Sequence, residues 1–110
     1  MSEVYKKAHE FFGGILEIVE RDIGILTRNG HPDDDGIHKG MLYSLYARRL
    51  LLKELLRCET IEDMKSYLKQ RENEVRNIRY SNPTSQEFST VVGDYFLILI
   101  WTARRILDSF

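Results

Sequence analysis

A chain of 110 residues with 43% apolar and 30% charged residues has the size and make-up of one globular domain able to bury its own core. Its formal charge of -1 gives no global pull toward nucleic acid or an anionic membrane, so any such binding has to come from a local patch. Cys58 is the single cysteine, which excludes an internal disulfide or a multi-cysteine metal knuckle, suits a reducing, cytoplasmic compartment, and reads as a small buried apolar residue.

The first element is expected over about residues 3–28. Val4, Ala8, Phe11, Phe12, Ile15, Ile18, Val19, Ile23 and Leu26 recur at three-and-four spacing, and Ser2 can cap the start. Met1 to Lys7 carries charges where a signal peptide would hold an apolar run, so none is expected. Gly13-Gly14 interrupts the pattern and predicts a kink or a close crossing with another helix. Asn29-Gly30 supplies residues that tolerate a left-handed helix end.

Residues 29–37 form an acidic joint. His31, Asp33, Asp34, Asp35 and His38 offer oxygen and imidazole donors suited to a divalent cation. Their spacing matches neither an EF-hand loop nor the helical H-E-x-x-H motif. The plainer reading is a solvated turn around Pro32, with Asp34 or Asp35 capping the next helix.

A second helix is expected over about 38–58, through Leu42, Leu45, Tyr46, Leu50, Leu51, Leu52, Leu55 and Leu56. Leucine on nearly every side of its last turns implies more than one neighbour. Thr60 followed by Glu62 and Asp63 starts a third helix, about 61–80, after only a few residues. Ile61, Met64, Leu68, Val75 and Ile78 make one narrow stripe, with Arg71 at the remaining stripe position. Arg71 there either lays its methylenes on the core edge or pairs with a carboxylate such as Glu17 or Asp94. Ser81-Asn82-Pro83 is a stop signal, and Thr84 with Glu87 forms a capping box for a fourth helix, about 85–108.

That last helix carries the longest apolar run, Tyr95 to Trp101, far short of the roughly 20 residues a membrane span needs. Short joints make sequential helices antiparallel, so the expected fold is all-α, an up-down four-helix bundle or close variant in a single domain. Helix four has an apolar band wider than such a bundle needs. That surplus predicts a homo-oligomer or protein-partner surface through Tyr95, Phe96, Ile100 and Trp101. Ala47-Arg48-Arg49-Leu50-Leu51 and Ala103-Arg104-Arg105-Ile106-Leu107 share a pattern that a duplicated hairpin would leave, though it is also common on amphipathic helices.

No residues are assigned to catalysis and no cofactor is expected. There is no Glu-x-x-His pair for a di-metal bundle, and neither a glycine elbow nor a phosphate loop. A basic face is present: Lys65, Lys69, Arg76, Arg79 and Tyr80 follow helical spacing on helix three, with Arg104 and Arg105 on helix four. Forked guanidinium donors with an aromatic stacking face are the vocabulary of single-stranded RNA or DNA binding. The competing reading is a solvated face balanced by Glu62, Glu72 and Glu74. Arg48, Arg49, Lys53 and Arg57 on helix two are expected to extend the basic patch.

Tyr5-Lys6-Lys7-Ala8-His9, Ile25-Leu26-Thr27-Arg28-Asn29-Gly30 and Trp101-Thr102-Ala103-Arg104-Arg105, together with length and four-helix order, resemble the small all-helical subunit of type III-B CRISPR (Cmr) RNA-guided effector complexes. These motifs cover about a quarter of the chain. Two departures are His31 to Gly36, where that family runs directly into an apolar helix, and His9, where it has tyrosine. The resemblance implies a non-enzymatic subunit lining a guide–target channel, with Lys69, Arg76, Arg104 and Arg105 against phosphate.

The expectation is therefore a non-enzymatic helical interaction module, a nucleic-acid-binding subunit of a larger complex. Two alternatives stay open: a metal-stabilised protein using His31 to His38, and a purely structural oligomeric accessory protein of viral or phage type.

Overall fold

The computed structural model describes the backbone of residues 2–28, 36–81 and 86–110, and the side chains of 2–28, 40–77 and 96–110. Four helices follow one another: α1 (Glu3–Arg28), α2 (Gly36–Arg57), α3 (Ile61–Ser81) and α4 (Gln86–Ser109). The protein is an all-α, single-domain helical bundle. The second helix begins at Gly36, so Gly36 and Ile37 belong to α2 rather than to the acidic joint. The capping pair Thr84 and Glu87 and the Asn29-Gly30 helix end lie outside the described residues or side chains.

Two helix starts are fixed by side chains. The Tyr5 N–H donates to Ser2 Oγ at 3.1 Å, and the Asp63 N–H donates to Thr60 Oγ1 at 3.0 Å, each satisfying a backbone donor that has no partner within its helix. The Tyr5 hydroxyl donates to the Cys58 carbonyl at 2.6 Å, which ties the first turn of α1 to the α2–α3 junction.

α1 packs chiefly on α2 and α3 chiefly on α4, with sparser contact across the two hairpins. The common core gathers where α1 and α3 begin and α2 and α4 end: Ala8 and Phe12, Leu51 and Leu55, Met64 and Leu68, Ile100 and Leu107. Farther along α1 and α2 the buried residues are Val19, Ile23 and Leu45. The result is flat and open. The molecule measures 46 × 37 × 19 Å with a radius of gyration of 15.4 Å, against about 13 Å for a compact domain of this length.

Two sequence expectations are corrected here. α1 runs unbroken through Gly13-Gly14, and a Cβ built at either glycine meets no atom within 4 Å, so these residues neither break the helix nor make a close crossing among the described residues. Part of the wide apolar band of α4 is used internally, because α4 meets α3 on one side and α2 on another, while Ile98 stays 55% exposed. Phe96 and Ile100 are buried in the core, and of the residues assigned to a partner surface only Trp101 is described and exposed; the Tyr95 side chain lies outside the description.

Candidate association surfaces

Met64, Leu68 and Glu72 follow one another at four-residue steps, so the line of α3 that faces α4 ends in a carboxylate. Glu72 is only 9% exposed. It accepts from Arg104 Nη1 at 2.8 Å and from Trp101 Nε1 at 3.2 Å, and Arg76 Nη2 stands 2.9 Å from it as an ion pair. Three donors on two helices converge on one buried carboxylate, the arrangement that makes burial of a charge tolerable.

Arg71 lies beside this network. Its Nη1 donates to Glu74 at 2.9 Å, and its guanidinium carbon sits 5.2 Å from the centre of the Phe96 ring. Its partner among the described residues is thus Glu74, one turn away, and not Glu17; the Asp94 side chain lies outside the described residues. Arg71 Nε and the Tyr67 hydroxyl are both buried without a hydrogen bond. Burial raises the pKa of Tyr67, and the nearby Glu54 carboxylate raises it further.

This geometry redistributes the basic face. Arg76 and Arg104 are engaged by Glu72, and Lys65 lies 3.5 Å from Asp108. Lys69 and Arg105 make no ion pair among the described residues. Lys65, Lys69 and Arg104 do come together, lining with Ser66 and Asp108 a shallow cleft of about 200 Å³. The side chains of Arg79 and Tyr80 lie outside the described residues. Three of the α2 cations are engaged away from this patch: Lys53 pairs with Glu20 of α1 at 3.6 Å, Arg49 lies over the Tyr46 ring, and Arg48 lines a groove facing α1.

His31, Asp33, Asp34, Asp35 and His38 also fall outside the described residues or side chains. Among the described residues no three histidine, cysteine, aspartate or glutamate side chains stand close enough to hold a metal ion. Burial pushes the Cys58 thiol pKa up, with Asp63 and Glu54 acting in the same direction, which disfavours a reactive thiolate. No helix among the described residues is long and apolar enough to cross a membrane.

The second surface is apolar and lies on α1. Tyr5, Ala8, Phe12, Val19 and Ile23 face the core. Val4, Phe11, Ile18 and Ile25 do not: they are 38%, 45%, 51% and 43% exposed. These four recur every seventh residue, so they form one line along the whole helix, about 32 Å long at 1.5 Å per residue and some 100° around from the core face. Phe110 joins the line from the side, its ring 5.9 Å from that of Phe11.

The line adjoins open grooves. Ile25 also lines one of about 360 Å³ between α1 and α2, with Leu26, Met41, Ser44 and Arg48. Arg48 is shared with a second groove of about 260 Å³ at the fork of the hairpins, where Phe12 and Ile15 face Ile98, Leu99 and Ile106 of α4. Sequence reasoning placed Val4, Phe11 and Ile18 on a single core face. The seven-residue recurrence was the signal that could have separated them.

No family model, curated protein or solved structure matches this chain.

Proposed function

We propose that this chain is a non-enzymatic helical module that works by association, through the exposed face of α1 and the grooves beside it. The observation that carries the reading is the line Val4, Phe11, Ile18 and Ile25. Single exposed apolar residues are ordinary, but a row of four large ones at constant spacing is a ready seam for another helix. Open grooves lined by Met41, Ile98 and Leu99 extend the same surface. A photo-crosslinking residue placed at position 18 in cells is expected to give defined protein adducts, and one at the exposed Glu62 is not. Equal background at both positions overturns the reading.

The nucleic-acid reading has its own support in the convergence of Lys65, Lys69 and Arg104 on one cleft. These include residues that the resemblance to the small Cmr subunit would set against phosphate. The patch is modest, because Glu72 and Asp108 offset part of its charge. Anisotropy with single-stranded RNA is expected to show binding that weakens steeply with salt and is lost in Lys65→Ala/Lys69→Ala. These two residues are free of the Glu72 network, so the test does not disturb the fold. No binding at low salt removes this second reading.

A further inference from the structure

We infer that the partner of the α1 face is a second copy of this chain, with the two α1 helices antiparallel and crossing at Gly14. This rests on the association reading and adds the identity and orientation of the partner.

The line of exposed residues is close to palindromic about the middle of the helix. Turning a second α1 end for end about Gly14-Ile15 sets Phe11 against Ile18 and Val4 against Ile25, in both directions at once, as an isologous two-fold contact requires. The crossing point falls on Gly14, which is exposed and has open space where a Cβ would stand. Within its own chain that glycine serves no packing purpose, and it weakens the helix relative to alanine. At a helix crossing it lets the backbones approach.

Charge selects the orientation. On the outer flank of the line, Glu3, Glu10 and Glu17 lie in the first part of α1 and Arg21 and Arg28 in the last, all of them exposed. In a two-fold antiparallel pair the same flanks face each other. Glu10 then comes within about 3 Å along the axis of Arg21 of the second copy, and Glu3 within the same distance of Arg28. There are two exceptions: Lys7 falls beside Arg21 of the second copy, and Glu17 comes as near along the axis to Glu10 of the second copy as Arg21 does. In a parallel pair this flank instead faces Ala8 and Ile15 and gains no such complement for Glu3 or Glu10. Opposite charges along a helix seam set partner choice and direction.

The test uses the purified full chain. Sedimentation velocity up to roughly 100 µM is expected to show a dimer, and Ile18→Glu is expected to weaken it at least about tenfold with an unchanged far-ultraviolet circular dichroism spectrum, as removal of a central anchor does. Glu10→Arg should weaken the dimer, and adding Arg21→Glu to it should restore it; Lys7→Glu should strengthen it. In a Cys58→Ser background, Val4→Cys mixed with Ile25→Cys should give a mixed disulfide. Val4→Cys alone should not, because its two copies stand about 30 Å apart.

A disulfide from Val4→Cys alone overturns the antiparallel arrangement. A wild-type chain that stays monomeric overturns the second-copy inference. Cellular crosslinks from position 18 to another protein would then still leave the association reading standing, so the two failures are distinguishable.

Discussion

On α3, the most polar helix, a glutamate is turned into the seam with α4 and given three donors, whereas on α1 four large apolar side chains are left in solvent. The two helices invert the ordinary relation between polarity and exposure. α3 and α4 form a pair whose described polar side chains largely satisfy one another, and what these described residues offer a ligand is two cations without an ion pair, Lys69 and Arg105, and a shallow cleft. The α1–α2 hairpin is closed on one side only, so what it offers is apolar area. Charge counted along a helix misjudges which face is available, because a buried carboxylate can occupy the cations around it.

The sharpest way to break this comparison is to cut into each region and weigh the loss. Ile100→Ala removes a fully buried side chain from the shared core and is expected to destabilise by about 2–5 kcal/mol in chemical denaturation. Ile18→Ala on the exposed line is expected to change the stability of the monomer by no more than about 0.5 kcal/mol. Equal losses at the two positions would mean that the α1 face is packed after all.

Glu72 comes next. Glu72→Ala leaves Arg76, Arg104 and the Trp101 indole without their common acceptor. Breaking a fully buried pair is more damaging, but about half of each arginine side chain remains in water, so about 1–3 kcal/mol is expected. The gap to wild type should narrow at high salt. A neutral Glu72→Ala would show the seam to be held by Met64, Leu68 and Ile100 alone. The same network explains why Arg76→Ala is a poor probe of nucleic-acid binding: it would disturb the seam as well as the patch.

The helices were legible in the sequence because their apolar residues keep a 3.6-residue period and because Ser2 and Thr60 stand where helix starts need acceptors. The division of α1 was not. Its apolar residues span about half the circumference, and spacing alone does not say which part another helix covers. α3 failed for a related reason. A heptad template puts Arg71 on the seam, four-residue steps from Met64 put Glu72 there, and one residue is a rotation of about 100°. In a helix with few apolar residues nothing local chooses between the two, and only the donors on α4 decide. Phe96 and Ile100 were likewise read as surplus because α4's two neighbours are a tertiary fact.

Gly13 gives a smaller effect that sharpens the picture of α1 as an unbroken, uncovered helix. Gly13→Ala meets no neighbouring atom, so it is expected to stabilise the chain by about 0.5–1 kcal/mol through helix propensity, seen as a raised denaturation midpoint. A loss instead would mean that something packs there.

Tyr67 tests the α3–α4 side at the smallest scale. Its hydroxyl is buried without a hydrogen bond, and burial next to Glu54 raises its pKa above the ordinary value of 10.0. In the unfolded chain the phenol ionises near its ordinary value, while in the folded protein it keeps its proton to higher pH. The folded state therefore binds more protons above that value, and stability falls as pH rises. Tyr67→Phe removes this contribution and leaves no polar group unsatisfied, so at neutral pH it is expected to be neutral or slightly stabilising. As pH is raised through 10, the variant should lose less stability than wild type in urea titrations, and their difference isolates Tyr67 from the other tyrosines. Parallel curves for the two proteins would mean that the hydroxyl is solvated.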